Sequence, residues 1–201
     1  MRDLQKSLTF YASILFFSFV VAQDPWYKPN GYIFPQLREW NAQLDASEQR
    51  VLRCFTPEAQ EILRQSPLRH HWLGPNKVIK NEIPAGEYCI GNNARRIDRK
   101  TLDAGYIDDT VFHESVHALP FSREEFDRIY GTMNPEEWHI KAQVEEHIGS
   151  KYDPAFADLM LERIAYIAQY HKNGKAIPDE MERFLSRFIE TEIQDSIALR
   201  K

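Results

Sequence analysis

Cysteine is scarce in this 201-residue chain: only Cys54 and Cys89 occur, so the sequence holds one disulfide at most. No cysteine follows the N-terminal apolar stretch, which removes the attachment point of a bacterial lipoprotein anchor. Basic residues are not in excess, with 25 Lys and Arg against 30 Asp and Glu and a formal net charge of −5. Nucleic acid or an anionic membrane surface calls for clustered cations, so neither is an expected partner. Past Val21 no apolar run approaches the roughly 20 residues that a spanning helix needs. No internal repeat or low-complexity tract is visible.

The N-terminus carries a different signal. Arg2 and Lys6 precede an apolar stretch from Leu8 to Val21, and Val20 and Ala22 stand where a signal peptidase reads small residues. This predicts a secretory signal peptide over residues 1–22, cleaved after Ala22, and a secreted or periplasmic protein with no lasting membrane anchor. Cleavage would take the formal net charge from −5 to −6 and leave 179 residues, 23–201, which suits one domain. In an exported chain a disulfide between Cys54 and Cys89 is expected, tying the helical N-terminal part to the strand region.

The most informative run is Thr110-Val111-Phe112-His113-Glu114-Ser115-Val116-His117-Ala118-Leu119. On a helix, residues four apart share a face, so His113 and His117 can reach one metal ion while Glu114 leans over it from one step around. Neutral imidazole is a good zinc ligand, and three protein ligands leave a fourth position for water, whose pKa then falls from about 15.7 to roughly 7. A carboxylate must take the proton of that water, and Glu114 is placed to do so. Glu114 is the only acidic residue in an otherwise apolar setting, where an idle charge is costly.

This run resembles the active-site helix of the zincin metallopeptidases, including the uncharged lead-in at Thr110 and Val111 and the apolar Leu119. The resemblance implies a single Zn²⁺, a peptide or protein substrate, and a helix packed under a small sheet whose edge strand aligns that substrate. The histidine-ligated metzincins do not fit, because Pro120 and Arg123 stand where their glycine and third histidine belong. The run Glu87 to Gly91 resembles the cysteine motif of peptide deformylases and would make Cys89 a ligand. That family's glycine-rich motif is missing here, and Val116 replaces its aspartate.

A third ligand must come from downstream. Glu162 is favoured, because Ala165 and Tyr166 share its helix face, and a small residue beside a carboxylate lets two helices approach closely. The Glu162-x-x-Ala165 arrangement also resembles the glutamate helix of the gluzincins, the zincins with a glutamate ligand. Glu136, Glu145 and Glu146 remain rivals. Tyr152, Tyr166 and His147 are candidates to stabilise the negative oxygen of a tetrahedral intermediate. Asp109 is a candidate to orient a ligand histidine, although Asp108 and Asp109 also suit a helix cap.

The remaining texture predicts an α+β, zincin-like fold. Helices are expected at 36–42 and 47–55, and a Thr56-Pro57 start opens a third reaching about Gln65. A small sheet is expected over 76–98, with strand candidates at 77–83, 87–90 and 94–97 and Arg95 to Asp98 at its edge. The metal helix follows at 108–119. A helical C-terminal half is announced by Ser122 with Glu125, Asn134-Pro135, Asp153-Pro154 and Pro178, with helix stops at Gly131, Gly149 and Gly174. From Pro178 onward Met181, Phe184, Leu185, Phe188, Ile189 and Ile193 fall on one face of a core-packing helix. The expected function is a secreted zinc metallopeptidase. The other classes are a non-catalytic zinc-stabilised binding module and a helical interaction domain with an accidental motif.

Overall fold

In the computed structural model, residues 33–102, 105–136, 138–155 and 158–190 are described, so the expected signal peptide and Ile193 lie outside the described residues. The chain falls into two units, Met1–Glu39 and Trp40–Lys201. Of the first, only the opening turns of helix α1 (Ile33–Leu52) are described. The second carries everything that follows.

Helix α1 replaces the two short helices expected at 36–42 and 47–55. No glycine or proline interrupts residues 36–55, and Trp40, Leu44, Ser47 and Val51 keep one helical phase and are buried. Helix α2 (Pro57–Arg64) begins as its sequence predicts: Thr56 Oγ1 accepts from the Ala59 N–H at 3.3 Å, and Pro57 occupies the first turn.

Three strands follow, β1 (Leu68–His71), β2 (Gly86–Cys89) and β3 (Ala94–Asp98), in the sheet order β1-β3-β2. β1 runs parallel to β3 with Leu68 opposite Arg95, and β2 runs antiparallel with Gly86 opposite Ile97. The strand expected at the edge, Arg95 to Asp98, is therefore the central one. Arg95 and Asp98 are buried with partners, while half-buried Arg96 pairs with Glu87 at 2.9 Å. Arg95 is only 1% exposed, and its guanidinium donates to the Ser66 and Leu63 carbonyls, Ser115 Oγ and the Glu48 carboxylate. Asp98 accepts from the Leu73 and Lys100 N–H groups.

The strand expected at 77–83 is instead a 3₁₀ turn at Lys77–Ile79, capped by Asn76 and folded back through an Asn76–Glu82 bridge. β1 was not among the strand candidates, because its alternation is carried by half-exposed Leu68 and His70 instead of buried aliphatic residues.

Helices α3 (Arg99–Leu102) and α4 (Ile107–His117) lead into α5 (Arg123–Thr132), α6 (His139–Lys151), α7 (Leu159–Lys172) and α8 (Asp179–Leu185). Ser122 Oγ caps α5 through the Glu125 N–H, while the Glu125 carboxylate pairs with Arg187 instead of closing a capping box. At Asn134 and Asp153 the side chains accept from the N–H two residues on, which makes turns instead of helix starts. The next helices begin later, at His139 and, capped by Asp158, at Leu159. Gly149 lies inside α6, whereas Gly174, at φ +84°, does terminate α7. Met181, Phe184, Leu185 and Ile189 are buried as expected, with Ile189 bridged to Phe55 just beyond the end of α8.

The expected Cys54–Cys89 disulfide is not made, and both residues are free thiols. Cys54 follows α1 beside the C-terminal segment, its carbonyl accepting from the Glu190 N–H, whereas Cys89 ends β2 opposite Ala94. Each backbone is committed to a different neighbour.

Arg95 joins β3, α1, α2 and α4, so its removal strands a carboxylate and several buried acceptors. Arg95→Met is expected to lower unfolding free energy by about 3–5 kcal/mol in urea titrations. A loss below about 1 kcal/mol would contradict this role.

Candidate metal centre

The motif helix α4 is buried nearly all round: Thr110, Val111, Phe112, His113, Glu114, Ser115 and Val116 are all covered. Its first turn is held from outside. Asp108 accepts from Ser47 Oγ at 2.6 Å and from both forks of Arg50 at 2.8 Å, and Asp109 pairs with Lys172 at 3.3 Å. Neither aspartate caps the helix through its side chain, and Asp109 is engaged by Lys172 instead of orienting a histidine; both still suit the positive end of the helix dipole.

Helix α7 packs directly on α4 and brings Glu162 to the two histidines. Glu162 Oε2 lies 3.2 Å from His113 Nε2, and Oε1 lies 3.5 Å from His117 Nε2. Among the described residues, these three form the group of ligand-type side chains whose donor atoms all fall within 4.8 Å of one another. Ligand bonds of about 2.0–2.2 Å at tetrahedral angles put neighbouring donor atoms about 3.3–3.5 Å apart, which the two Glu162–histidine distances match. Ala165, fully buried next to Glu162 on α7, permits the close approach.

Burial pushes the Glu162 carboxyl up, but His117 and His113 outweigh it and hold the group well below the usual carboxylate range. It is therefore present as the anion that a metal requires. The rivals are elsewhere: Glu145 accepts from Tyr130 at 2.5 Å and from Arg163 at 2.8 Å, while Glu136 and Glu146 are exposed.

Glu114 is 5% exposed, and burial drives its carboxyl up to about 8, with His113 opposing and Glu162 and Glu87 adding to the rise. A bound dication would pull that value down again. Gly86 at the start of β2 makes room for this carboxylate. A Cβ there would lie 2.8 Å from Glu114 Cγ and 2.9 Å from Thr110 Cγ2. In the sequence, Pro84-Ala85-Gly86 reads only as a turn, and the clue to Gly86 was a glycine opening a strand.

The three candidate donors gather on the same side. The Tyr166 ring lies 4.7 Å from that of His113 and 4.3 Å from that of His147, and the Tyr166 and Tyr152 hydroxyls are 3.2 Å apart. Burial raises both tyrosines, which keeps their protons in place to donate. His147 Nε2 is buried without a hydrogen-bond partner. Burial also lowers His147, with Lys151 adding to the effect.

Two cavities, of about 490 Å³ and 320 Å³, meet at His113 and Glu114 and share Ile79, Pro84, Gly86 and Tyr152 as walls. They make one groove with the His–His–Glu group beside its middle. Ser115, between the histidines, was not singled out from sequence. Its hydroxyl accepts from Arg95 and donates to the Val111 carbonyl, which fixes the back of the motif helix.

In metal-free protein the folded state holds the Glu114 proton up to about pH 8, the unfolded state only to 4.5. The folded state binds more protons in that window, so stability falls as pH rises through it. Glu114→Gln removes this slope, so the variant should exceed wild type by a few kcal/mol at pH 9 and lose that advantage near pH 4 in chelator-treated denaturation series. Parallel pH profiles would contradict a buried, neutral Glu114. No protein-family model, curated protein or solved structure matches the chain, so the site stands on its own geometry.

Proposed function

We propose that the protein is a zinc-dependent hydrolase of peptide bonds, exported from the cell by its N-terminal leader. The observation that carries this reading is the convergence of His113, His117 and Glu162 at ligand spacing, with Glu114 buried alongside in a groove. Zinc, when bound, supplies Lewis-acid chemistry, polarising a carbonyl and acidifying water.

The side chains then divide the work. Glu114 removes the proton of the attacking water and returns it to the leaving amine. Tyr166, Tyr152 and His147 line the larger cavity, where their donors can hold the oxygen that becomes negative. The backbone of β2 offers a template. The Asp98 N–H donates to the Ala85 carbonyl, so alternation along the antiparallel pair turns the N–H and C=O groups of Gly86 and Tyr88 away from β3. An extended peptide can pair there.

One observation favours a second reading. Glu162 already lies within reach of both imidazoles without metal, as it would in a purely structural polar cluster. Such a cluster would bind no metal and catalyse nothing.

Glu114→Gln should retain bound zinc and lose about 10²–10⁴-fold in kcat against a peptide library. Full activity in that variant would sink the mechanism. Tyr166→Phe and His147→Ala, assayed separately, should show which donor stabilises the oxyanion: loss of the main one costs about 10²–10³-fold in kcat with KM little changed. Unchanged kcat in both would remove them from the chemistry.

A further inference from the structure

Resting on the peptidase reading, we infer that the groove selects bulky apolar side chains on both sides of the scissile bond and acts on internal bonds. The large apolar side chains standing exposed among the described residues are Trp72, Ile83, Ile90 and Tyr106. Three of these rim the groove. Ile83, 44% exposed, and Tyr106, 50% exposed, line the larger arm; Ile90, 74% exposed, lines the smaller. Trp72 belongs elsewhere, edge-on to Trp40 and beside the Arg99 guanidinium. Isolated exposed apolar residues need no explanation, but their gathering at both ends of one groove marks a surface that is covered in use.

The polar groups specify the rest of the occupant. Charges along the groove are largely compensated: Glu87 pairs with Arg96 at 2.9 Å, Asp158 with Arg123 at 2.6 Å and Asp109 with Lys172 at 3.3 Å. Glu82 and Lys151 bring one charge of each sign to the larger arm. Apart from the His–His–Glu group and Glu114, no cluster of one sign among the described lining residues is left to select a substrate terminus or an ionic side chain. The outward N–H and C=O groups of Gly86 and Tyr88 suit an extended main chain. Because arms extend to both sides of His113 and Glu114, the occupant continues past the site in both directions. The fitting substrate is an unfolded or extended segment with large apolar residues flanking the bond.

The test uses full-length protein loaded with zinc and two sets of hexapeptides, one blocked by N-acetyl and C-amide groups and one with free termini. Their central pair is Leu-Phe, Ser-Phe, Leu-Ser or Ser-Ser. Binding is measured to Glu114→Gln protein by calorimetry, and cleavage by wild type is mapped by mass spectrometry. Blocked Leu-Phe peptide should bind about 10- to 100-fold more tightly than Ser-Ser peptide and be cut internally. Ile83→Ser should erode the preference on one side of the bond and Ile90→Ser that on the other, each by about tenfold, with zinc content and melting temperature unchanged. Apolar-selective binding without cleavage upholds the groove's apolar selection but overturns the hydrolase reading, together with the internal cleavage that rests on it. Cleavage indifferent to the central pair, or confined to unblocked peptides, overturns the inference and leaves the hydrolase reading standing. Absence of binding by every peptide overturns the inference.

Discussion

Placing four ionisable side chains, His113, His117, Glu162 and Glu114, in one desolvated spot is the constraint around which this molecule is organised. Charge is expensive away from water unless each group has a partner. Here Glu162 lies within 3.2 and 3.5 Å of the two imidazole Nε2 atoms, and its ionised form is held by them. Glu114 takes the opposite course, raised to about 8 by burial. In the metal-free protein the two carboxyls are thus pushed toward opposite protonation states.

The surrounding structure serves that spot. Arg95 reaches from the central strand to Ser115 on the motif helix and fixes the depth of α4 against the sheet. Gly86 lets β2 pass over Glu114 without a side chain in the way. The 3₁₀ turn at Lys77–Ile79 is strapped down by Lys80, whose Nζ donates to the Gly149 and Ser150 carbonyls near the end of α6, and by the Asp153 N–H to the Val78 carbonyl. That strap holds Ile79, a residue common to both arms, above the groove. Among the described residues no helix is long and apolar enough to cross a membrane.

Legibility in the sequence followed the range of the interactions. The two histidines and Glu114 are a local pattern on one helix, and local periodicity is what a sequence displays directly. The placement of Glu162 beside the two histidines was readable because Ala165 and Tyr166 mark a helix face built for close packing. The Thr56-Pro57 start and the Gly174 stop are equally local. The sheet was harder. Arg95 and Asp98 read as an exposed edge because a buried charge with distant partners looks, one residue at a time, like a solvated one. Asn134 and Asp153 read as helix starts because the same side-chain-to-backbone bond closes a turn. Cysteine pairing depends on a meeting of distant segments, which composition does not report. The α+β class was legible; the order of the strands was not.

Everything in the functional reading descends from one claim, that His113, His117 and Glu162 hold a metal ion. Elemental mass spectrometry of purified protein, alongside the His117→Ala and Glu162→Ala variants, addresses it most directly. Wild type is expected to hold one zinc per chain, and neither variant should retain any after dialysis. Wild-type protein that holds no zinc after supplementation, or variants that keep it, would contradict the account and leave the His–Glu–His group as a polar element of the core.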